Sequence, residues 1–153
     1  METTLRILQN NRNVYLRLLE SFTLEQLNKI PDGFVNNIIW NIAHIVATQQ
    51  ILVYQLSGLP LQISQEMEEM YKNGSKPTCT TTQTQVDEIK KLLLSTVEKT
   101  KKDFHTPNFF ENYNEFTTKS TGFTIDSAKT ALEFNNFHEG VHFGIIMQIR
   151  KFL

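Results

Sequence analysis

His138 and His142 stand four residues apart in Phe137-His138-Glu139-Gly140-Val141-His142-Phe143-Gly144. On a helix that spacing sets two side chains about 40° apart, one turn above the other, so both imidazoles point the same way. Ala131, Phe134, Val141, Ile145 and Ile149 share that face, which directs the pair into a core. Two inward imidazoles so placed suit chelation of one divalent ion. Read literally, His138-Glu139-x-x-His142 is the motif of zinc metalloproteases. Those enzymes take a third ligand downstream, and here Phe143 to Leu153 contain no His, Asp or Glu. The third ligand has to come from upstream.

His44 is the candidate. On a helix through it, Asn37, Asn41, Thr48 and Gln55 fall within about 60°, a narrow polar strip in an otherwise apolar segment. Trp40, Ala47 and Ile51 flank the strip. Three imidazoles leave positions open on a divalent ion, whereas a closed structural zinc site normally has four protein ligands. An open site binds water or a substrate heteroatom and lowers its pKa. Zinc and nickel both suit imidazole.

The neighbours of these histidines are candidates for supporting roles. Asn41 and Asn135 each precede a ligand histidine by three residues, so either can hydrogen-bond an imidazole or a bound water. Glu139 lies about 100° around the helix from His138, which suits the surface or a supporting hydrogen bond better than a general base. Trp40 is placed to wall a pocket or to fill the core. Gly140 and Gly144, four residues apart in mid-helix, suggest close approach of another helix. His105 precedes Thr106-Pro107 and reads as an exposed loop residue.

Four long helical patterns must carry these residues. The first spans roughly Thr4 to Ser21, with Leu5, Leu8, Tyr15, Leu18, Leu19 and Phe22 as its apolar stripe. Thr23 and Gln26 form a capping box for a short turn, and Pro31-Asp32-Gly33 breaks the chain. The second spans Phe34 to Ser57, ending at Gly58 and Pro60; a longer loop follows to the threonine-rich Thr78–Thr84. The third, Gln85 to Phe104, has an apolar face of Val86, Ile89, Leu93, Val97 and Phe104. Thr106 to Phe123 reads as irregular, with a short hairpin near Asn114 to Phe123. The fourth begins near Thr124 to Asp126, where either residue is a candidate N-cap, and runs to the end. This pattern predicts an all-α, four-helix bundle, and 153 residues suit a single domain, 1–153.

Composition removes several function classes. Lys plus Arg number 15 against 16 for Asp plus Glu, with no basic cluster, so nucleic acid is not an expected partner. Between Gly33 and Gln65 there is no charged residue, yet the segment carries Asn37, Asn41, His44, Thr48, Gln49, Gln50 and Gln55. A membrane span seldom holds so many polar groups, so a buried helix is expected and no membrane. The single cysteine, Cys79, excludes an internal disulfide, and Met1 to Arg6 lacks the start of a signal peptide. A cytoplasmic protein fits both.

The segments Leu24-x-x-Leu27-x-x-Ile30-Pro31-x-Gly33, Ile39-Trp40-x-Ile42-Ala43-His44 and His138-Glu139-x-x-His142-x-Gly144 together resemble the DinB-like superfamily of damage-inducible metalloproteins. The resemblance covers nearly the whole chain. It implies an up-up-down-down bundle, frequently homodimeric, with zinc or nickel on His44, His138 and His142. Its characterised members include bacillithiol- or mycothiol-dependent S-transferases, thiol-dependent isomerases and a few hydrolases. Ile145 departs from the pattern, because relatives often carry Gln there. The expected protein is a metal-dependent enzyme using a low-molecular-weight thiol or water on a small-molecule substrate. The alternative is a non-catalytic, metal-binding stress-response protein.

Overall fold

The apolar residues of the first segment recur at helical spacing, and in the computed structural model, which describes residues 1–153, they form α1 (Glu2–Ser21). Its buried side is Leu5, Leu8, Tyr15, Leu18 and Leu19, with Arg12 among them. The Thr23–Gln26 capping box opens α2 (Leu24–Asn28): Thr23 Oγ1 accepts the Gln26 amide and Gln26 Oε1 accepts the Thr23 amide. Gly33, at φ +84°, supplies the left-handed turn that L-residues disfavour.

Helix α3 (Ile38–Val53) begins four residues later than the periodicity suggests. Asn37 stays extended and its side chain accepts the Trp40 amide at 2.9 Å. A side-chain cap satisfies a helix-end donor that Phe34 has no means to satisfy, so the helix starts after Asn37. Asn37 thus leaves the polar strip, and Gln55 leaves it too, in a 3-10 turn (Gln55–Ser57) ended by Gly58 at φ +70°. Of the residues of α3, only Thr48 and Ile51 escape full burial. A helix apolar nearly all round is buried on all sides, as expected here.

The loop after α3 contains a helix that its sequence does not announce, α4 (Gln65–Tyr71), capped by Ser64 Oγ on the Met67 amide at 3.1 Å. Seven residues carry too little periodicity to be recognised. Burial of Met67 and Tyr71 against the core holds it. Helix α5 (Gln83–Phe104) starts with a Thr82–Gln85 capping box, in which Gln85 is the third helical residue instead of the first. The expected hairpin is present as β1 (Phe116–Thr117) and β2 (Thr124–Ile125), antiparallel with Phe116 opposite Ile125. Thr124 therefore belongs to a strand. The last helix, α6 (Ala128–Ile149), is capped by Ser127, whose Oγ accepts the Thr130 amide at 3.2 Å, instead of by Thr124 or Asp126. Asp126 instead accepts the Thr130 and Ser127 hydroxyls.

The protein is all-α apart from that hairpin. Helix α3 packs chiefly on α6, and α1 packs on both α5 and α6. The apolar core falls into two parts. One gathers Tyr15, Leu19, the apolar residues between Ile38 and Ala47, Val86, Ile89, Leu93, Ile146 and Ile149; the other gathers Leu5, Leu8, Leu52, Val53, Tyr54, Val97, Ile125, Ala131 and Leu132. Between them in sequence, on every long helix, lie buried polar residues: Arg12, Gln49, Thr96, Asn135, Glu139 and His142 among them. No helix is long and apolar enough to cross a membrane.

Candidate metal centre

Helices α3 and α6 bring His44, His138 and His142 together. One ring nitrogen from each lies within 4.8 Å of the others. The ring centroids of His138 and His142 are 4.5 Å apart, and those of His44 lie 5.1 and 4.7 Å from them.

Hydrogen bonds decide which nitrogens are free. His44 Nδ1 lies 2.6 Å from the Tyr71 carbonyl, which only accepts, so Nδ1 carries the proton and donates. His142 Nδ1 lies 2.7 Å from Asn41 Oδ1. The amide of Asn41 is itself oriented, since its Nδ2 donates to Asn36 Oδ1 and to the Asn37 carbonyl. His142 therefore also donates from Nδ1. Both rings are left with Nε2 as the lone-pair nitrogen. His44 Nε2 accepts the Thr48 hydroxyl at 3.3 Å, and His142 Nε2 stands 3.1 Å from His138 Nε2.

This set fits a divalent ion. A tetrahedral ion with bonds of about 2.0–2.1 Å to nitrogen separates its ligands by about 3.3 Å, close to the spacing of the two α6 imidazoles. Burial drives the histidines toward the neutral, ligating form. It lowers the pKa of His138 to about 2, helped by the proximity of His142, His44 and Arg12. His142 falls to about 3, from burial and then from His44. Burial also lowers His44, against the bond to Tyr71.

The supporting residues divide. Asn41 accepts from the His142 imidazole. Trp40 stacks on His44 at 4.6 Å and 10° between planes, holding that ring flat from the core side. Glu139 is not on the surface: it is completely buried and turned away from the histidines. Its Oε1 accepts Arg12 Nε at 2.9 Å and Asn135 Nδ2 at 2.8 Å. Asn135 thus supports Glu139 in place of an imidazole. Tyr15 donates its hydroxyl to the Glu139 carbonyl, and the Arg12 Nη2 reaches the Ile45 carbonyl at 3.4 Å. Arg12 escaped the sequence reading, although it continues the helical stripe Leu5, Leu8, Arg12, Tyr15, Leu19 where only a paired charge tolerates burial. Tyr71 escaped as well, because any residue offers a backbone carbonyl.

His105 ends α5 exposed, its Nδ1 on the Lys101 carbonyl, remote from the centre, and Cys79 is free and exposed. Val141 was expected on the inner face but is 45 % exposed, being at the margin of the stripe, about 60° from His138. Gly140 and Gly144 border open space: a Cβ added at either meets nothing within 4 Å. Gly140 borders a cleft shared with α1, and no other helix of this chain needs either glycine for close approach. Ile145 is half-buried against the larger apolar cluster.

His44 and His138 line a cavity of about 620 Å³, with Thr48, Ile51, Phe116, Lys119 and Phe134 around them. No carboxylate lines it. The three neutral imidazoles can hold one ion, and because His44 and His138 line the cavity, an open position on that ion can face it.

The sequence pattern of the DinB superfamily matches residues 7–146. No curated protein sequence matches the chain. The match runs from α1 through His142 of α6, covering all three histidines, and the chain belongs to the DinB superfamily.

Proposed function

We infer that the protein is a metal-dependent enzyme, with zinc or nickel on His44, His138 and His142. It would activate a thiol or water for transfer to, or hydrolysis of, a small molecule. One observation carries this reading: three imidazoles converge without a fourth protein ligand, and two of them, His44 and His138, open on a cavity of substrate size. A divalent ion there supplies Lewis acidity, lowering the pKa of a thiol or water that reaches its open position. The chain does the rest. Asn41 and the Tyr71 carbonyl hold His142 and His44 in the ligating tautomer, and Trp40 fixes the His44 plane. Ile51, Phe116 and Phe134 offer the cavity an apolar surface for the body of a substrate. A bacillithiol- or mycothiol-like cofactor and a cytoplasmic location complete the reading.

Metal content of tag-free protein tests it. About one ion per chain is expected, lost in His44→Ala and His138→Ala and retained in His105→Ala. Equal content in all three refutes the site. Consumption of low-molecular-weight thiols with electrophiles, with zinc and with nickel, then tests turnover. The lack of any carboxylate in the cavity favours the second reading, a metal-binding stress protein without turnover; a metal-loaded protein inert in that screen would uphold it.

A homodimer is the assembly we infer. Phe137 and Val141 are 56 % and 45 % exposed beside the open Gly140 and Gly144 on α6, an apolar strip that a second copy would cover. Light scattering should give twice 17.8 kDa, and Val141→Lys should shift it toward the monomer. A wild-type monomer at micromolar concentration refutes this.

A further inference from the structure

The cavity outside the histidines has two chemically distinct parts. Ile51 from α3, Phe116 from β1 and Phe134 from α6 give it an apolar side, while Thr48, Asn73, Thr118 and Ser120 are polar but uncharged. Phe134 is itself fixed by a parallel stack on Phe123, at 5.7 Å and 9°. The sole charged side chain at the cavity is Lys119, in the turn between β1 and β2. Lys119 takes part in none of the protein's ion pairs.

That turn is a built structure. Thr118 is buried, its amide donates to the Phe123 carbonyl at 2.9 Å, and its hydroxyl bonds that of Thr121 at 2.6 Å. Gly122 closes the turn at φ +69°, its amide on the Thr118 carbonyl at 2.9 Å. Lys119 is thus carried next to a residue anchored in the protein, at a cavity that offers no carboxylate of its own.

The charge balance points outward. Uncharged histidines leave a bound divalent ion with its whole charge, in a partly apolar cavity where unbalanced charge is costly. Lys119 adds a further positive charge at the same cavity. Resting on the metal reading above, we propose that this cavity selects a small molecule carrying an oxyanion on an apolar body, with Lys119 as the residue that reads the charge. The body lies against Ile51, Phe116 and Phe134. The oxyanion, a carboxylate or a phosphonate, lies between the ion and Lys119. The hairpin is then the specificity element, and α3 and α6 supply the chemistry.

Calorimetry on the full-length, zinc-loaded protein tests this with 3-phenylpropanoate, 2-phenylethylphosphonate and 3-phenylpropanamide. At least one acid should bind about tenfold tighter than the amide, and the two acids show which oxyanion is preferred. Lys119→Gln, an exposed substitution that leaves the hairpin's bonds intact, should weaken the preferred acid about three- to tenfold and leave the amide unchanged. An amide that binds as tightly as both acids, or an unchanged preference in Lys119→Gln, overturns the proposal. So does binding of both acids weaker than about 1 mM. Metal content of protein loaded with zinc or with nickel separates the two readings. Protein that takes up neither zinc nor nickel refutes the metal centre, while a Lys119-dependent preference for acids would still stand in it.

Discussion

Helix α6 presents buried polar groups on two sides, and the two sides solve the problem of burial differently. Toward α1, Glu139 and Asn135 meet Arg12, a cation and an anion that neutralise each other at complete burial. Toward α3, His138 and His142 meet His44, three bases with one ring nitrogen of each within 4.8 Å of the others and no carboxylate among them. The first cluster is electrically complete within the chain. The second carries no charge of its own, and its three bases could take a cation from outside. His142 Nε2 stands 3.1 Å from His138 Nε2, so a neutral His138 with its proton on Nε2 donates to it and leaves His138 Nδ1 buried without a partner; an ion held on the Nε2 atoms would take that proton's place. Neighbouring positions on one helix therefore close an ion pair on one side and form a candidate metal centre on the other.

Breaking the closed cluster should have the largest effect. Arg12→Met strands Glu139 as a buried, unpaired anion, and about 3–5 kcal/mol of stability should be lost in denaturant unfolding. Arg12→Met combined with Glu139→Leu removes both charges and should recover most of that. A double variant as unstable as the single one would mean that packing, not charge, sets the cost.

A smaller effect is expected where the open cluster leans on its support. Asn41→Ala leaves the three ligands in place but frees the His142 ring, and zinc affinity should fall about 10- to 100-fold with little change in metal-free stability. Competition with a chelator measures the first and a thermal melt the second. Unchanged affinity would remove Asn41 from the site.

The smallest effect is the pH dependence contributed by a single histidine. Imidazole has a pKa of about 6.5 in the unfolded chain, whereas His142 in the folded protein titrates near 3. Above pH 6.5 neither state holds the proton; below it the unfolded state gains one that the folded state refuses. The stability is thus full above about 6.5 and declines as pH falls toward 3. Between pH 7.5 and 5.5 the metal-stripped protein should lose about 1 kcal/mol more than its His142→Gln variant. Equal losses would mean that His142 titrates normally. The depressed values also move proton competition for the metal below the range that unperturbed histidines would imply.

Much of this was legible in the sequence. The spacing of His138 and His142 puts both on one face of any helix, the uncharged stretch around His44 marks a buried helix, and Thr23 with Gln26 spells a capping box. These follow from local geometry, which each segment carries within itself. The supports were not legible. Arg12 finds Glu139 across 127 residues, and Tyr71 lends His44 a carbonyl from a seven-residue helix without a periodic signal. Periodicity states on which side of its own helix a residue lies, but not which helix faces it. The sequence by itself determined that three imidazoles are available and turned inward. Only the tertiary structure decided that they converge, that Nε2 is the free atom of His44 and His142, and that Lys119 stands at the cavity, because those depend on how α3, α4, α6 and the hairpin pack.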